Sequence, residues 1–436
     1  MINKIINKVG IISPYFISSK FVNIPFNFRH GKAYGYFENK LIESENWTDK
    51  ELERYIITNF NKIFQYSKNF LLYKNKYKKS GVLNLDVKSL DDIKRIPILY
   101  RNEIRESISE FNGYFFHKTG GTSGKSLPLF LDKNAWAREW AHFHKIWNKA
   151  DYNFKDVKFT FKYQKSKDKF IKYDFRHNEF IINSYNKPTD YINEFFDILI
   201  RRNIKYFHGY PSAIYDFLKE IDGEISKNQK LIIKQQIRCC FLSSEMPLPH
   251  ITSYLKKEWN MDFLAWYGHS EVCILAASEI NELDYFPLHT YGYVEVEDNM
   301  LLGTSYHNFD MPLIRYNTDD LVEPKTYSNG ILKSFNVKEG RIFDFIYDKN
   351  NVKIPATALL RKEHHEIFKY IDYIQVFQER NGYATILVSQ NKFSKIDAST
   401  LMNFDDINID FNYIYLDQPI RTISGKVPLR IQKLPI

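Results

Sequence analysis

Cysteine is scarce in this chain: of 436 residues only Cys239, Cys240 and Cys273 carry a thiol. Three thiols at such irregular spacing make no disulfide framework, so the sequence predicts a protein of a reducing compartment, the cytoplasm. Long apolar runs are missing too. No stretch approaches the roughly 20 apolar residues of a membrane span. The one apolar run near the start, Gly10-Ile11-Ile12-Ser13-Pro14-Tyr15-Phe16-Ile17, is broken by proline and lacks the small-residue cleavage site of a secretory leader. Glycine is sparse, at 17 residues, so the glycines that cluster mark places where the backbone must turn sharply or be closely approached.

Acidic side chains are outnumbered, 52 against 61 basic ones, for a net charge of +9. The excess is spread over scattered lysines, with local groups at Lys74, Lys76, Lys78 and Lys79 and over 165–172, the pattern of solvated faces. Dispersed positive charge attracts polyanions without specifying one. It therefore implies no nucleic-acid partner, and a basic site for a nucleotide substrate accounts for part of it. With 44% hydrophobic and 26% charged residues, the composition is that of a folded chain with room for two or three domains.

What the chain does have is a dense loop, Lys118-Thr119-Gly120-Gly121-Thr122-Ser123-Gly124-Lys125-Ser126. Glycines bring backbone N–H groups close to an anion, hydroxyls add donors, and Lys125 adds a mobile positive charge, so the loop suits phosphate. A Walker A loop ending on Gly124-Lys125-Ser126 needs glycine where this chain has Thr119. The segments 114–117 and 127–131 both read as strands, whereas a P-loop runs from strand into helix.

Thr48-Asp49-Lys50-Glu51 is a capping box that opens a helix with Leu52, Ile56, Phe60 and Ile63 on one face. Two short helices follow over 89–105, the first stopped by Pro97. A helix over 134–149 carries Trp136, Trp140, Phe143 and Trp147 at core spacing. A further helix from 189 is expected to bury Ile192, Phe195, Phe196, Leu199 and Ile200. Strands over 204–208, 238–242 and 262–266 then end in Gly209-Tyr210-Pro211-Ser212, Ser243-Ser244-Glu245 and Tyr267-Gly268-His269-Ser270-Glu271, with Ser212 as a helix cap. Three strand-helix units that place glycine, hydroxyl and acidic residues at strand C-termini imply one binding crevice of an open α/β sheet. Later segments are strand-rich, and 345–436 reads as a small α+β domain with a helix near 358–369, strands over 373–379 and 384–388, and a second loop, Arg421-Thr422-Ile423-Ser424-Gly425-Lys426.

In this order the motifs resemble those of the adenylate-forming acyl ligases, in particular the phenylacetate-CoA ligase-like branch that includes the CapK-type proteins of capsule and O-antigen gene clusters. The match lies in Thr119 to Ser126, Tyr267 to Glu271, Arg315-Tyr316-Asn317-Thr318-Asp319-Asp320-Leu321, Gly340-Arg341-Ile342-Phe343-Asp344 and the loop ending at Lys426. The resemblance implies an α/β fold: a large multi-sheet adenylate-forming domain over 1–340 and a small mobile α+β domain over 341–436. It implies a reaction in which a carboxylate attacks the α-phosphate of ATP and pyrophosphate leaves. Thr119, Gly120, Gly121, Thr122, Ser123, Gly124 and Lys125 would hold the outer phosphates, and Glu271 would hold Mg²⁺. Ser243, Ser244 and Glu245 would flank adenine, with Tyr267, Gly268 and Ser270 completing the nucleotide site. Asp320 would bind the ribose, Arg341 would assist from the hinge, and Lys426 would act on the α-phosphate. His208, Tyr210 and His269 would line the acid's pocket.

The departures from the pattern are Asp319, where the family has glycine, and Phe343, where it often has a charged hinge residue. Consecutive strand residues face opposite ways, so Asp320 is expected to face the nucleotide and Asp319 to be solvated or paired with a base. No zinc spacing is present, and His364-His365 reads as a solvated helix face. The acceptor stays open between an amine, as in polysaccharide decoration, and a thiol such as coenzyme A. A non-catalytic nucleotide-binding scaffold is the reading from another class.

Overall fold

In this computed structural model the described residues are 15–118, 127–162, 170–184, 186–339, 345–356, 359, 370–390, 397–400, 402, 404, 407–422, 427–431 and 434. The principal elements run as follows. Helix α1 (Lys32–Ser44) precedes α2 (Asp49–Ser67), α3 (Leu90–Lys94) and α4 (Arg101–Glu106). The hairpin strands β1 (Phe115–Lys118) and β2 (Pro128–Leu131) lead into α5 (Ala135–Asn148). Then come β3 (Lys158–Lys162), β4 (Ile171–Asp174), β5 (Glu179–Asn183), α6 (Ile192–Arg201), β6 (Tyr206–Gly209), α7 (Pro211–Asp222), β7 (Cys239–Leu242), α8 (Pro249–Trp259) and β8 (Asp262–Gly268).

The capping boxes form as the sequence requires. In α2 the Thr48 N–H donates to Glu51 Oε2 at 2.8 Å while the Glu51 N–H donates to Thr48 Oγ1 at 3.3 Å, and Ile56, Phe60 and Ile63 are buried. Ser89 and Asp92 repeat the arrangement at α3. The hairpin also forms, pairing Phe115 with Leu131 and Lys118 with Pro128, so the glycine-rich loop departs from a fixed neck.

Among the described residues β6 sits between β3 and β7, and β8 follows, all parallel; β5 extends the parallel run beyond β3. Side chains alternate across this sheet. Phe207 of β6 packs with Phe195 of α6 and Phe217 of α7, whereas Tyr206 stacks on Phe241 toward α5, whose Trp147 stacks on the same ring. Burying such rings stabilises the two layers by about 1.5–3 kcal/mol each.

Four details of the sequence reading are corrected. Trp136 is 47% exposed and meets the hairpin ring Phe115, because its neighbours Ala135 and Ala137 take the buried side of that turn, and Ile200 is 54% exposed near the end of α6. Ser212 is no cap: Pro211 takes the first helical position of α7 and Tyr210 is its N-cap. The third strand has no helix after it, because the chain turns back from β8 into the antiparallel strand β9 (Leu275–Ala277), with β10 (Phe286–Pro287) at the edge.

A second sheet holds β11 (Gly292–Glu297), β12 (Met300–Ser305), β13 (Tyr316–Ser328) and β14 (Ile331–Glu339), all antiparallel. Two glycines let it lie against the segment after Glu271. A Cβ on Gly292 would stand 2.2 Å from the Cys273 carbonyl oxygen, and one on Gly303 would stand 2.5 Å from Ile274 Cγ1.

Further on, β15 (Phe345–Tyr347) pairs with β16 (Lys353–Pro355). The last sheet joins β17 (Ile371–Arg380), β18 (Tyr383–Gln390), β19 (Asp410–Leu416) and β20 (Arg430–Ile431) around a separate core of Ile371, Ile374, Val376, Ile386 and Val388. The helix expected over 358–369 lies largely outside the described residues, as do His364 and His365. All three cysteines are buried and free. Among the described residues no helix is long and apolar enough to cross a membrane.

Candidate active site at the strand C-termini

Glu271 follows β8 directly and is only 3% exposed, so its charge must be answered by protein. Arg101 Nη2 lies 2.7 Å from Oε1, and the Tyr316 hydroxyl donates to the same oxygen at 3.1 Å. His269 Nδ1 stands 3.1 Å from Oε2. Burial works to raise the Glu271 carboxyl, but the His269 hydrogen bond and the charges of His269 and Arg101 prevail and hold it at about 2.

Three separate parts of the chain meet here. Arg101 opens α4 two residues after Leu99, whose N–H donates to the Arg315 carbonyl at 3.0 Å and whose carbonyl accepts from the Asn317 N–H at 2.9 Å. The segment before the glycine-rich loop is thereby stitched to the Arg315–Asp320 motif. Nothing in the sequence distinguished Arg101 from the chain's other basic residues; only the Leu99 bridge to Tyr316 brings it to Glu271.

The two neighbouring aspartates have different partners, although Asp319 is not in the extended conformation that the strand argument assumed. The Tyr267 hydroxyl donates to Asp320, whose N–H donates to Thr318 Oγ1 at 3.2 Å. Asp319 has φ +65°, a left-handed conformation in which glycine is unstrained, and its carboxylate lies 3.8 Å from Arg101 Nε. Arg315, the first residue of that motif, is structural. It is buried, pairs with Glu295 at 2.8 Å and with Glu297, and donates to the Lys94 carbonyl at 3.1 Å.

Thr119, Gly120, Gly121, Thr122, Ser123, Gly124, Lys125, Arg341 and Lys426 lie outside the described residues. Their neighbours do not. His117, just before the glycine-rich loop, places Nε2 3.0 Å from the carbonyl oxygen of exposed Ser270. The Val427 N–H donates to Glu245 Oε1 at 2.8 Å.

Ser243 and Ser244 continue from β7, with the Ser243 N–H donating to the Gly209 carbonyl at 3.2 Å and Ser244 at φ +67°. Glu245 turns away from Glu271 and ties two elements together: its Oε2 accepts the Ser212 N–H at 3.2 Å while Oε1 holds Val427. Burial raises the Glu245 carboxyl, against these hydrogen bonds. Asp216 of α7 receives Arg421 and, at 2.6 Å, the Tyr373 hydroxyl, so the last sheet is docked on α7.

His208 and Tyr210 lie at the end of β6 and just after it. His208 packs against Trp147 and Trp266, with ring centroids 5.3 and 5.6 Å away, and those two rings also touch each other. Gly268 is exposed at the end of β8. Among the described residues there is no group of three or more His, Cys, Asp and Glu side chains that could hold a metal ion.

No family model matches the chain, and no curated protein matches it. Solved structures do. A 2-hydroxyisobutyryl-CoA ligase in the postadenylation state with 2-HIB-AMP superposes with a TM-score of 0.61 at 14% identity, covering 87% of this chain and 89% of that one. Its complex with R3-HIB-AMP covers 98% of this chain and 94% of the other, at 13% identity and a TM-score of 0.61. The GH3.15 acyl acid amido synthetase covers 90% and 93%, at 12% identity and a TM-score of 0.56. At such identities the likeness establishes the fold, a mixed α/β architecture of several sheets.

Proposed function

We propose that this chain is an ATP-dependent ligase that activates a carboxylic acid as its acyl-adenylate and passes the acyl group to an acceptor. One observation carries the reading most: Glu271, His269, Tyr267 and Asp320 converge at the strand C-termini of a fold shared with enzymes solved as acyl-AMP complexes. Crevices at that position of an open α/β sheet are where such folds bind ligands.

In this reading the acid's carboxylate oxygen attacks the α-phosphorus, the bond to the bridging oxygen breaks, and pyrophosphate leaves. The acceptor then attacks the acyl carbon and AMP departs. The loop from Thr119 to Lys125 takes the outer phosphates, Asp320 the ribose, and Ser243, Ser244, Glu245, Gly268 and Ser270 the base and its surroundings. Arg341 assists at a hinge between domains over 1–340 and 341–436, a division supported by the separate hydrophobic core of the last sheet. Lys426 neutralises charge at the α-phosphate. A magnesium ion, when bound, offsets phosphate charge, with Glu271 as its protein carboxylate. Arg101 must release Oε1 for that.

The acceptor we favour is an amine in capsule or O-antigen assembly, on the motif order of the phenylacetate-CoA ligase-like branch; coenzyme A is the thiol alternative. The test is pyrophosphate release from ATP with a panel of carboxylic acids, with and without amines and coenzyme A. Failure of every acid of the panel to elicit pyrophosphate release, once ATP binding is demonstrated, would overturn the reading.

A further inference from the structure

The polar column beneath His208 has no task in the reaction just described. Its base is Glu179 of β5, 1% exposed, which receives Lys162 Nζ on Oε1 at 2.8 Å and has Lys158 Nζ 3.5 Å from Oε2. Thr160 of β3 donates its hydroxyl to the same Oε2 at 2.6 Å. An ionised carboxylate only accepts, so the single hydroxyl proton of Thr160 is committed to Glu179. Thr160 Oγ1 can then only accept from its other neighbour, His208 Nδ1, 3.4 Å away.

That fixes the tautomer: Nδ1 carries the proton. The imidazole also stays neutral, since burial, together with the Lys158 and Lys162 ammoniums, outweighs Glu179 and pushes it down to about 3. Nε2, on the far side of the ring from β3, is therefore a lone-pair acceptor, and it has no partner among the described residues. The ring packs against Trp266 and, tilted, against Trp147, two indoles that also touch each other, at the penultimate residue of β6.

We infer that His208 Nε2 is the specificity contact for the acyl chain, and that the acid carries a hydrogen-bond donor, a hydroxyl or an amino N–H, which this nitrogen accepts. The inference rests on the adenylating reading and deepens it. An acceptor beside two indoles favours a donor-bearing acid over its methyl or unsubstituted analogue, because the analogue covers the nitrogen without pairing it. Lys158, Lys162, Glu179 and Thr160 are positioning residues: they act by holding the imidazole in one tautomer.

The test compares kcat/KM for pyrophosphate release across matched short acids, 3-hydroxybutyrate, 3-aminobutyrate and butyrate. At least one donor-bearing acid is expected to exceed butyrate by ten-fold or more, and the first two acids tell a hydroxyl from an amine. His208→Phe should lower kcat/KM for that acid at least ten-fold more than for butyrate, chiefly through KM. His208→Gln, which offers a carbonyl acceptor, should recover part of the preference. Thr160→Val should weaken the preference several-fold and shift the His208 ring ¹⁵N signals toward a tautomer mixture, a change that loss of packing alone would not produce. A wild-type preference for butyrate, or an unchanged ratio in His208→Phe, overturns the inference while leaving adenylation standing. If His208→Phe does not fold, the Thr160→Val ratio and spectrum decide. ATP binding without turnover of any acid tried overturns the adenylating reading, and this one with it.

Discussion

Asp319 and Asp320 are adjacent, yet the backbone assigns them opposite surroundings. Replacing Asp320 with alanine is expected to weaken ATP binding by about 1.5–3 kcal/mol, the range for hydrogen bonds to a charged group. Asp319→Gly should be nearly neutral for ATP: it removes a carboxylate 3.8 Å from Arg101 Nε but relieves a left-handed aspartate. An ATP titration of both variants checks the ranking, and the reverse order would place the nucleotide elsewhere. Glu271→Gln keeps the shape of a side chain that already carries three donors and removes its charge. Pyrophosphate release should fall by roughly 100-fold or more, measured at saturating magnesium. At this scale motif spacing singled out Asp320 and Asp319, and the structure gives them different partners. It could not show Arg101, because a residue 170 positions away from its partner leaves no local pattern.

Between elements, the closest fit is the one between the second sheet and the segment after β8. Gly292→Ala would drive a Cβ into the Cys273 and Thr304 carbonyls, at 2.2 and 2.8 Å, and backbone on both sides cannot yield independently. Thermal denaturation should show a loss of about 1–3 kcal/mol, as for overpacking. Activity should drop further than stability accounts for, because Glu271 lies two residues before Cys273. The same scale shows where pattern reading succeeds and where it fails. The Thr48 and Ser89 capping boxes are written in four consecutive residues and formed as read. Ser212 has the right chemistry for a cap, but Pro211 pre-empts the first helical position. Trp136 has the right spacing for the core, yet the small Ala135 and Ala137 take the buried side of its turn and leave the indole beside Phe115 and solvent.

Over the whole molecule, buried histidine is the largest pH-sensitive reserve. Burial depresses His30, His142, His208 and His307 to about 3, and His177 and His289 to about 4. Each is neutral in the fold, while in the unfolded chain it takes up a proton near pH 6.5. The unfolded state therefore binds more protons as pH falls from 6.5 toward 3 or 4, and stability is lost across that window, by up to about 1.4 kcal/mol per pH unit for each histidine. Melting temperature is expected to decline as pH falls from 6.5, before the carboxylates titrate. A decline that starts only below pH 4.5 would contradict this. The order of motifs made the α/β architecture legible from sequence, but not the covering of α5 by the first helices, where Phe26, Tyr34, Phe37 and Leu41 meet Ala137 and Ala141. Those residues carry no motif, only apolar area.

Gln375 of β17 holds a single amide between two strands of chain: its Nε2 donates to the Ile420 and Pro428 carbonyls, both at 2.8 Å, and its Oε1 accepts the Ile420 N–H at 2.7 Å. The lysine we assign to the α-phosphate lies in sequence between those two carbonyls and next to Val427, whose N–H is held by Glu245. Inserting two or four glycines after Thr422 lengthens that segment at little thermodynamic expense, since closure entropy grows only logarithmically with length. The melting temperature should stay put, whereas the adenylation rate should fall with each insertion, because the lengthened segment no longer matches the spacing of its anchors. Equal rates at every length would mean that the anchors, and not the length of chain between them, set where the lysine acts.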